Sequence, residues 1–169
     1  MRIYLVHPGE NGAQGLTENG VWQIETLVRQ LIKSDIKVDR VYANGHEASR
    51  ESGDILSKSL RVPLVCDERF IEVNKMVILG EINDFELENL DYVNLFVDEI
   101  VSKGKDAIIT IGGGIHRAVI SRLTGIPLSE TRHFSLFPAS LSSVQYSNNE
   151  MVASWKISFI NDTTHLRVP

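Results

Sequence analysis

A chain of 169 residues can bury a substantial core and fits one domain, 1–169, better than two. Its 17 basic and 22 acidic side chains leave a net charge of −5 with no Lys/Arg run, which argues against nucleic acid or an anionic membrane as partner, since both need a clustered positive surface. The lone cysteine, Cys66, excludes an intramolecular disulfide, and no apolar run reaches membrane-spanning length, so the expectation is a soluble protein of the reducing cytoplasm.

Arg2 to Val6 reads as a buried strand that begins too early for a signal peptide to precede it. It runs into His7-Pro8-Gly9-Glu10, a turn of the kind where α/β enzymes place a first catalytic group, yet proline brings neither an N–H nor a reactive side chain. Thr17 is a natural N-cap for a helix to Ile32 with apolar residues at Val21, Ile24, Leu27, Val28 and Leu31. A short strand at Val41–Ala43, a helix over Glu47–Leu60 and a strand at Pro63–Cys66 follow, with Cys66 expected to be buried. Residues 67–83 show no regular pattern. Leu90, Val93, Phe96, Val97 and Ile100 mark another amphipathic helix, stopped near Gly104. "DAIITI" is a continuous apolar strand of the type covered on both faces, broken by Gly112-Gly113-Gly114 before helical spacing resumes from Ile115 to Leu123. Alternation at Trp155, Ile157 and Phe159 predicts an antiparallel hairpin turning at Asn148-Asn149. The order implies an α/β fold, a three-layer α/β/α domain with a mostly parallel sheet and an antiparallel edge hairpin.

Taken together, these landmarks resemble the histidine phosphatase superfamily, also called phosphoglycerate mutase-like. "HPGE" stands where that family has Arg-His-Gly-Glu, and "LTENGVWQ" is similar to its Leu-Thr-x-x-Gly-x-x-Gln helix start. "VYANGHEASRESGDIL" answers its Val-Tyr-Ser-Ser-Pro loop and Arg-Ala-x-x-Thr-Ala-x-x-Leu helix, and "DERFIEVN" its acidic loop. "IITIGGGIHRAVISRLTG" resembles its strand, Ser-His-Gly-Gly turn and Arg-bearing helix, while "FPASLSSVQY" and "INDTTHL" resemble its closing strand and tail. The likeness extends in order from residue 3 to residue 166.

The resemblance also implies a chemistry. In the family a histidine of the first turn attacks phosphorus, a second histidine and two arginines hold the equatorial oxygens, and an acid protonates the leaving oxygen. Carried over by position, the first arginine falls on His7, the nucleophile on Pro8, the second arginine on Ala48, the second histidine on Gly112 and the acid on Glu72. Only the acid is kept. A register slip does not restore the set, because Arg50 lies about 200° around the helix from Ala48 and a one-residue shift in an extended segment reverses the side-chain direction of His7. The implied protein is a pseudoenzyme that keeps the fold for binding, regulation or assembly. The alternative is an atypical phosphatase acting on a small phosphomonoester or phosphoprotein through His7 or His46 with Glu72.

A third reading centres on the glycine turn. "IGGGIHR" lacks the last glycine of a nucleotide-binding GxGxxG, having Arg117 there, and its ordinary role is a tight strand-to-helix passage. Gly113 and Gly114 at a helix N-terminus still suit an anion. Glu10, His46 and His116 join them as binding candidates, although no ligand spacing supports a metal among the histidines and acids. No cofactor is implied. The expected partner is a small anion or a protein, with homodimerisation left open. His165 is expected in a structural hydrogen bond, and Trp22 in packing rather than ligand stacking.

Overall fold

The computed structural model describes residues 1–67, 84–149 and 152–167. Strand β1 (Arg2–Val6) leads through a miniature antiparallel pair, β2 (Asn11–Gly12) and β3 (Gly15–Leu16), into helix α1 (Glu18–Lys33). Then come β4 (Arg40–Asn44), α2 (Glu47–Leu60), β5 (Leu64–Asp67), α3 (Asp84–Ser102), β6 (Ala107–Thr110) and α4 (Gly113–Thr124). A short 3-10 helix, Leu128–His133, precedes the long strands β7 (Leu141–Asn149) and β8 (Val152–Asp162). Helix ends obey local chemistry. The Thr17 hydroxyl accepts the Gly20 amide at 3.0 Å, and α3 and α4 run out at Gly104 and Gly125, both at positive φ where a side chain would be strained.

The main sheet has six strands in the order β5-β4-β6-β1-β7-β8. Pairing is parallel across β5, β4, β6 and β1 and antiparallel from β1 through β7 to β8. Alternate residues of the central strands face opposite layers. Ile3, Leu5, Tyr42, Ile109 and Ile111 pack with Phe96, Val97, Ile115 and Val119 of α3 and α4. Tyr4, Val6, Val41 and Ile108 pack with Ile24, Leu27, Leu31 and Leu56 of α1 and α2. This is the three-layer α/β/α arrangement with an antiparallel edge that the chain order predicts.

The turn after β1 is pressed against the start of α1. A Cβ on Gly20 would overlap the Glu10 carbonyl oxygen, and one on Gly9 would overlap the Gly20 carbonyl oxygen. Backbone meets backbone here, with Thr17 donating its amide to Glu10 O at 2.9 Å. Only glycine allows so close an approach.

Several expectations are corrected. The hairpin does not turn at Asn148-Asn149: both are still in the ladder, opposite Ala153 and Val152, because backbone pairing does not require the apolar alternation that ends earlier. The turn itself lies outside the described residues. Cys66 is exposed, since β5 is an edge strand and helices cover it incompletely. Trp22 and Val21 face outward, 42% and 36% exposed, because the stripe that meets the sheet is centred on Ile24, Leu27, Val28 and Leu31. Helix α4 starts at Gly113 rather than Ile115. The pattern of residues 67–83 falls, beyond Asp67, outside the described residues.

The Gly9–Gly20 contact makes the fold's entrance sensitive to one methyl group. Gly20→Ala is expected to lower unfolding free energy by more than about 2 kcal/mol. Gly12→Ala, whose Cβ would meet Thr17 Cγ2 at an ordinary 3.7 Å, should change it by less than about 1 kcal/mol. Urea unfolding of the two variants beside the parent checks the difference.

Candidate functional site

In open α/β sheets ligands bind beyond the carboxyl ends of the parallel strands. The register brings residues from three strands together there. Val6 and Ala43 both pair with Thr110, so His7, Ile111 and Asn44 stand side by side one step beyond the ladder. The Ile111 amide donates to Val6 O at 3.1 Å, and the His7 amide to Ser140 O at 3.0 Å, which extends the row onto the segment entering β7.

His7 shares the side of Ile3 and Leu5, toward α4. Its Nδ1 lies 3.1 Å from Pro8 O. A carbonyl can only accept, so Nδ1 carries the proton and Nε2 the lone pair in the neutral ring. Nε2 is 3.6 Å from where a Gly113 Cβ would sit, and the imidazole therefore stands over the first turn of α4.

Beneath it His116 is fully buried. Its Nε2 is 3.0 Å from Ser142 Oγ, which also accepts the Asn161 amide at 3.1 Å, while Nδ1 has no partner. Burial above all, with the charges of His7 and Arg117 adding to it, pushes the His116 imidazole down to about 3. It is a neutral histidine at any physiological pH. Arg117 is a clamp: its guanidinium and Nε donate to the carbonyls of Gly113, Thr131 and Phe134 at 3.1, 3.2 and 2.8 Å, tying α4 to the 3-10 helix.

The remaining sequence candidates separate. Pro8 is buried, turned by alternation to the α1/α2 side, and its carbonyl accepts the Ala139 amide at 2.9 Å. Ala48 is 1% exposed in the first turn of α2. Nearby, the Gly9 amide meets Ser52 Oγ at 3.3 Å. Glu10 faces away from His7: its carboxylate accepts from Thr17 Oγ1 at 2.8 Å and Asn19 Nδ2 at 3.1 Å, so it closes the entrance to α1. His46 is the exposed N-cap of α2 and makes no side-chain capping bond. Glu72 lies outside the described residues. Thus His7, Gly112, Gly113, Gly114 and His116 come together, whereas Glu10 and His46 do not join them as a cluster of ligands. Among the described residues, no three His, Cys, Asp or Glu side chains are placed to hold a metal. The His165 imidazole is half-buried, and burial above all pushes it below its ordinary value, with Asp162 and the Ala139 backbone acting the other way; its Nε2 has no hydrogen-bond partner.

Sequence reasoning passed over Asn44, Ser140 and Ser142, all fully buried at this end of the sheet. The signal was available for Asn44: a carboxamide closing the strand "VYAN" has no apolar reason to be there.

Residues 88–163 match the family model described as Histidine phosphatase superfamily (branch 1). That match takes in less than half of the chain, and over those residues the chain is similar to this family. The fold agrees along nearly the whole chain. Mycobacterial glucosyl-3-phosphoglycerate phosphatase, solved with inorganic phosphate, superposes with a TM-score of 0.75 at 14% identity, covering 97% of this chain and 98% of that one. A phosphoserine phosphatase mutant from Entamoeba histolytica, in complex with phosphoserine, gives 0.73 at 13% identity over 98% and 99%. The alpha-ribazole phosphatase of Shigella flexneri gives 0.70 at 19% identity over 96% and 97%. At such identities the likeness is one of fold. No curated protein sequence matches the chain. No described helix is long and apolar enough to cross a membrane.

A neutral, fully buried histidine beneath His7 has a thermodynamic signature. The unfolded chain binds a proton at His116 near pH 6.5 that the native state refuses until about 3. Stability should therefore fall as pH drops from about 6.5 toward 3, with a slope from this one group approaching 1.4 kcal/mol per unit. Urea unfolding at pH 7 and pH 4.5 should show a smaller loss for His116→Leu than for the parent; equal losses would exclude His116 as the source.

Proposed function

We propose that this chain binds a ligand or partner in the cleft above β1 and β6 without hydrolysing phosphate esters. The observation that carries the reading is Pro8. It occupies the position that the superfamily motif gives to the nucleophile, it is buried, and its carbonyl is held by Ala139. No atom of its side chain can attack phosphorus or carry a phosphoryl group. The surroundings agree in kind. The motif's arginine positions hold His7 and Ala48, and its second histidine position holds Gly112, so the charges that would stabilise an equatorial phosphoryl are missing from those places. A role in regulation or assembly is compatible with such a cleft, and the phosphatases that share the fold supply the geometry from which it departs.

A second reading has one observation in its favour. The Nδ1 contact of His7 with Pro8 O leaves Nε2 directed at the N-terminus of α4, an orientation suited to attack on an anion held by helix amides. Against it, the ring stands on the opposite side of the strand from position 8 and lacks the arginines.

Turnover decides between the two. Purified protein should hydrolyse an aryl phosphate and 3-phosphoglycerate at well under about 1 s⁻¹, the low end of ordinary enzymes, with His7→Ala no slower than the parent. Turnover above that level, abolished by His7→Ala, would establish the second reading. Activity is expected to return only with His7→Arg, Pro8→His, Ala48→Arg and Gly112→His together, because groups acting as one constellation are strongly non-additive. Gly112 takes φ −65°, so a histidine there causes no backbone strain. Acid-labile phosphohistidine in the fourfold variant, absent from Pro8→His alone, is the accompanying readout.

A further inference from the structure

Helix α3 departs from the charge pattern of the other helices. From Asp84 to Ser102 stand six acidic residues and no Lys, Arg or His. Taking those six from the 22 acidic side chains leaves 16 against 17 basic ones in the rest of the chain, so the whole net negative charge sits on this one helix. Its last turn has no basic residue, whereas α1, α2 and α4 end on Lys33, Lys58 and Arg122. Asp98 and Glu99 stand near that end instead, against the helix dipole. Lys103, the next cation along the chain, donates to the Tyr42 hydroxyl at 3.3 Å. Helix chemistry does not account for such a charge.

The outward face has the make-up of a contact surface. Glu88, Asp91, Tyr92, Leu95 and Glu99 recur at helical spacing on the side opposite Val93, Phe96, Val97 and Ile100, which enter the core. Leu95 is 54% and Tyr92 37% exposed, two large apolar side chains among carboxylates. Beside this ridge a groove of about 220 Å³ opens between α3 and α4, lined by the apolar Leu90, Ala118 and Leu128 and by Asn94, Ser121 and Arg122. Asn94 lies one turn from Asp91 and Asp98, so ridge and groove are continuous. Arg122 does not cancel the ridge, because Asp98 takes its guanidinium through both carboxylate oxygens, at 2.8 and 2.7 Å. Nor is the ridge a metal site, since among the described residues no three such side chains are placed to hold one.

We propose that the α3 face and its groove dock a basic amphipathic segment of a partner protein. The segment's apolar side chains enter the groove and cover Leu95, while its Lys or Arg side chains meet Glu88 and Asp91. Charge complementarity selects this occupant. A second copy of the chain in a two-fold pairing would set the same acidic ridge against itself, and nucleic acid or an anionic membrane would be repelled. In such an arrangement a few apolar anchors supply most of the affinity, and the surrounding charges supply orientation and rate of encounter. None of these residues is among those that meet at the cleft above β1 and β6, so the inference stands apart from what the cleft does.

The test is a titration of the ¹⁵N-labelled full chain with a synthetic peptide of about 14 residues carrying Leu and Lys at helical spacing. The same peptide with Glu for Lys, and an oligolysine of equal charge, are run beside it. The Leu-Lys peptide should give saturable shifts at the amides of α3 and of Ala118 to Arg122, weakening at least about 5-fold between about 50 and 300 mM salt. Oligolysine should bind at least about 5-fold more weakly, and the Glu peptide not at all. Leu95→Ser and, separately, Asp91→Lys should each weaken the Leu-Lys peptide about 5-fold or more with Tm kept, both side chains being exposed. The inference is overturned by shifts that map elsewhere or fail to saturate by about 1 mM, by oligolysine or the Glu peptide binding as tightly, or by unchanged affinity in the two variants. Should one variant not fold, the other is held to the same loss. Self-association of the free chain that Leu95→Ser abolishes, read by sedimentation, would give the face to a second copy and overturn the inference as well.

Discussion

The rest of the molecule depends on the register in which β1 lies against β6. With Val6 beside Thr110, the residue after each strand falls at the same height, and the residues meeting at the cleft are thereby chosen: His7 from one strand, Ile111 from the other, and Asn44 from β4 through the same threonine. Thr110 reinforces the choice on the opposite face, where its hydroxyl lies 3.1 Å from Tyr42 O and 2.8 Å from Ser49 O, joining β6 to β4 and to the first turn of α2. A slip of one residue would turn His7 into the α1/α2 layer and Pro8 toward α4, exchanging an imidazole for a pyrrolidine at the mouth of the site.

Charge follows the helices rather than a ligand. Acidic residues open α1 and α2, and Lys33, Lys58 and Arg122 lie in the last turns of α1, α2 and α4, as dipole complementarity favours. Much of the surface pattern is thus helix chemistry, and the scattered cations at the far end of the sheet need no nucleic acid or membrane to explain them. The exceptions are the start of α4, where glycines replace a cap, and the end of α3, where the last turn has no basic residue.

How much of this was legible in the chain depends on what each element touches. The central strands were plain because residues covered on both faces must be apolar, and "DAIITI" has few other readings. The motif order puts His7, Pro8, Ala48 and Gly112 at strand ends and helix starts, and that is where they lie: after β1, in the first turn of α2 and at the N-cap of α4. What escaped was set by coverage. Cys66 and Trp22 look like core residues in isolation, but an edge strand and the outer flank of a helix leave them in water. Asn44 escaped for the opposite reason, being buried by neighbours from β6 and β5 that sequence spacing does not reveal. The mutual position of His7 and His116, more than a hundred residues apart in the chain, followed only from the parallel crossover.

The outermost strand has a bearing on how the molecule behaves among its own kind. Opposite residues 141–144, β8 departs from regular pairing at two places, between Leu141 and Ser143 and between Ser143 and Val144. Bulges there twist the backbone and spoil the flat row of amides and carbonyls that another chain could extend. Lys156, exposed on the same strand, adds a charge that an incoming strand would have to bury. A protein with a long open edge and aromatic residues on it is thereby guarded against templated self-assembly, and crowding or partial unfolding would have to remove the bulges before its sheet could grow.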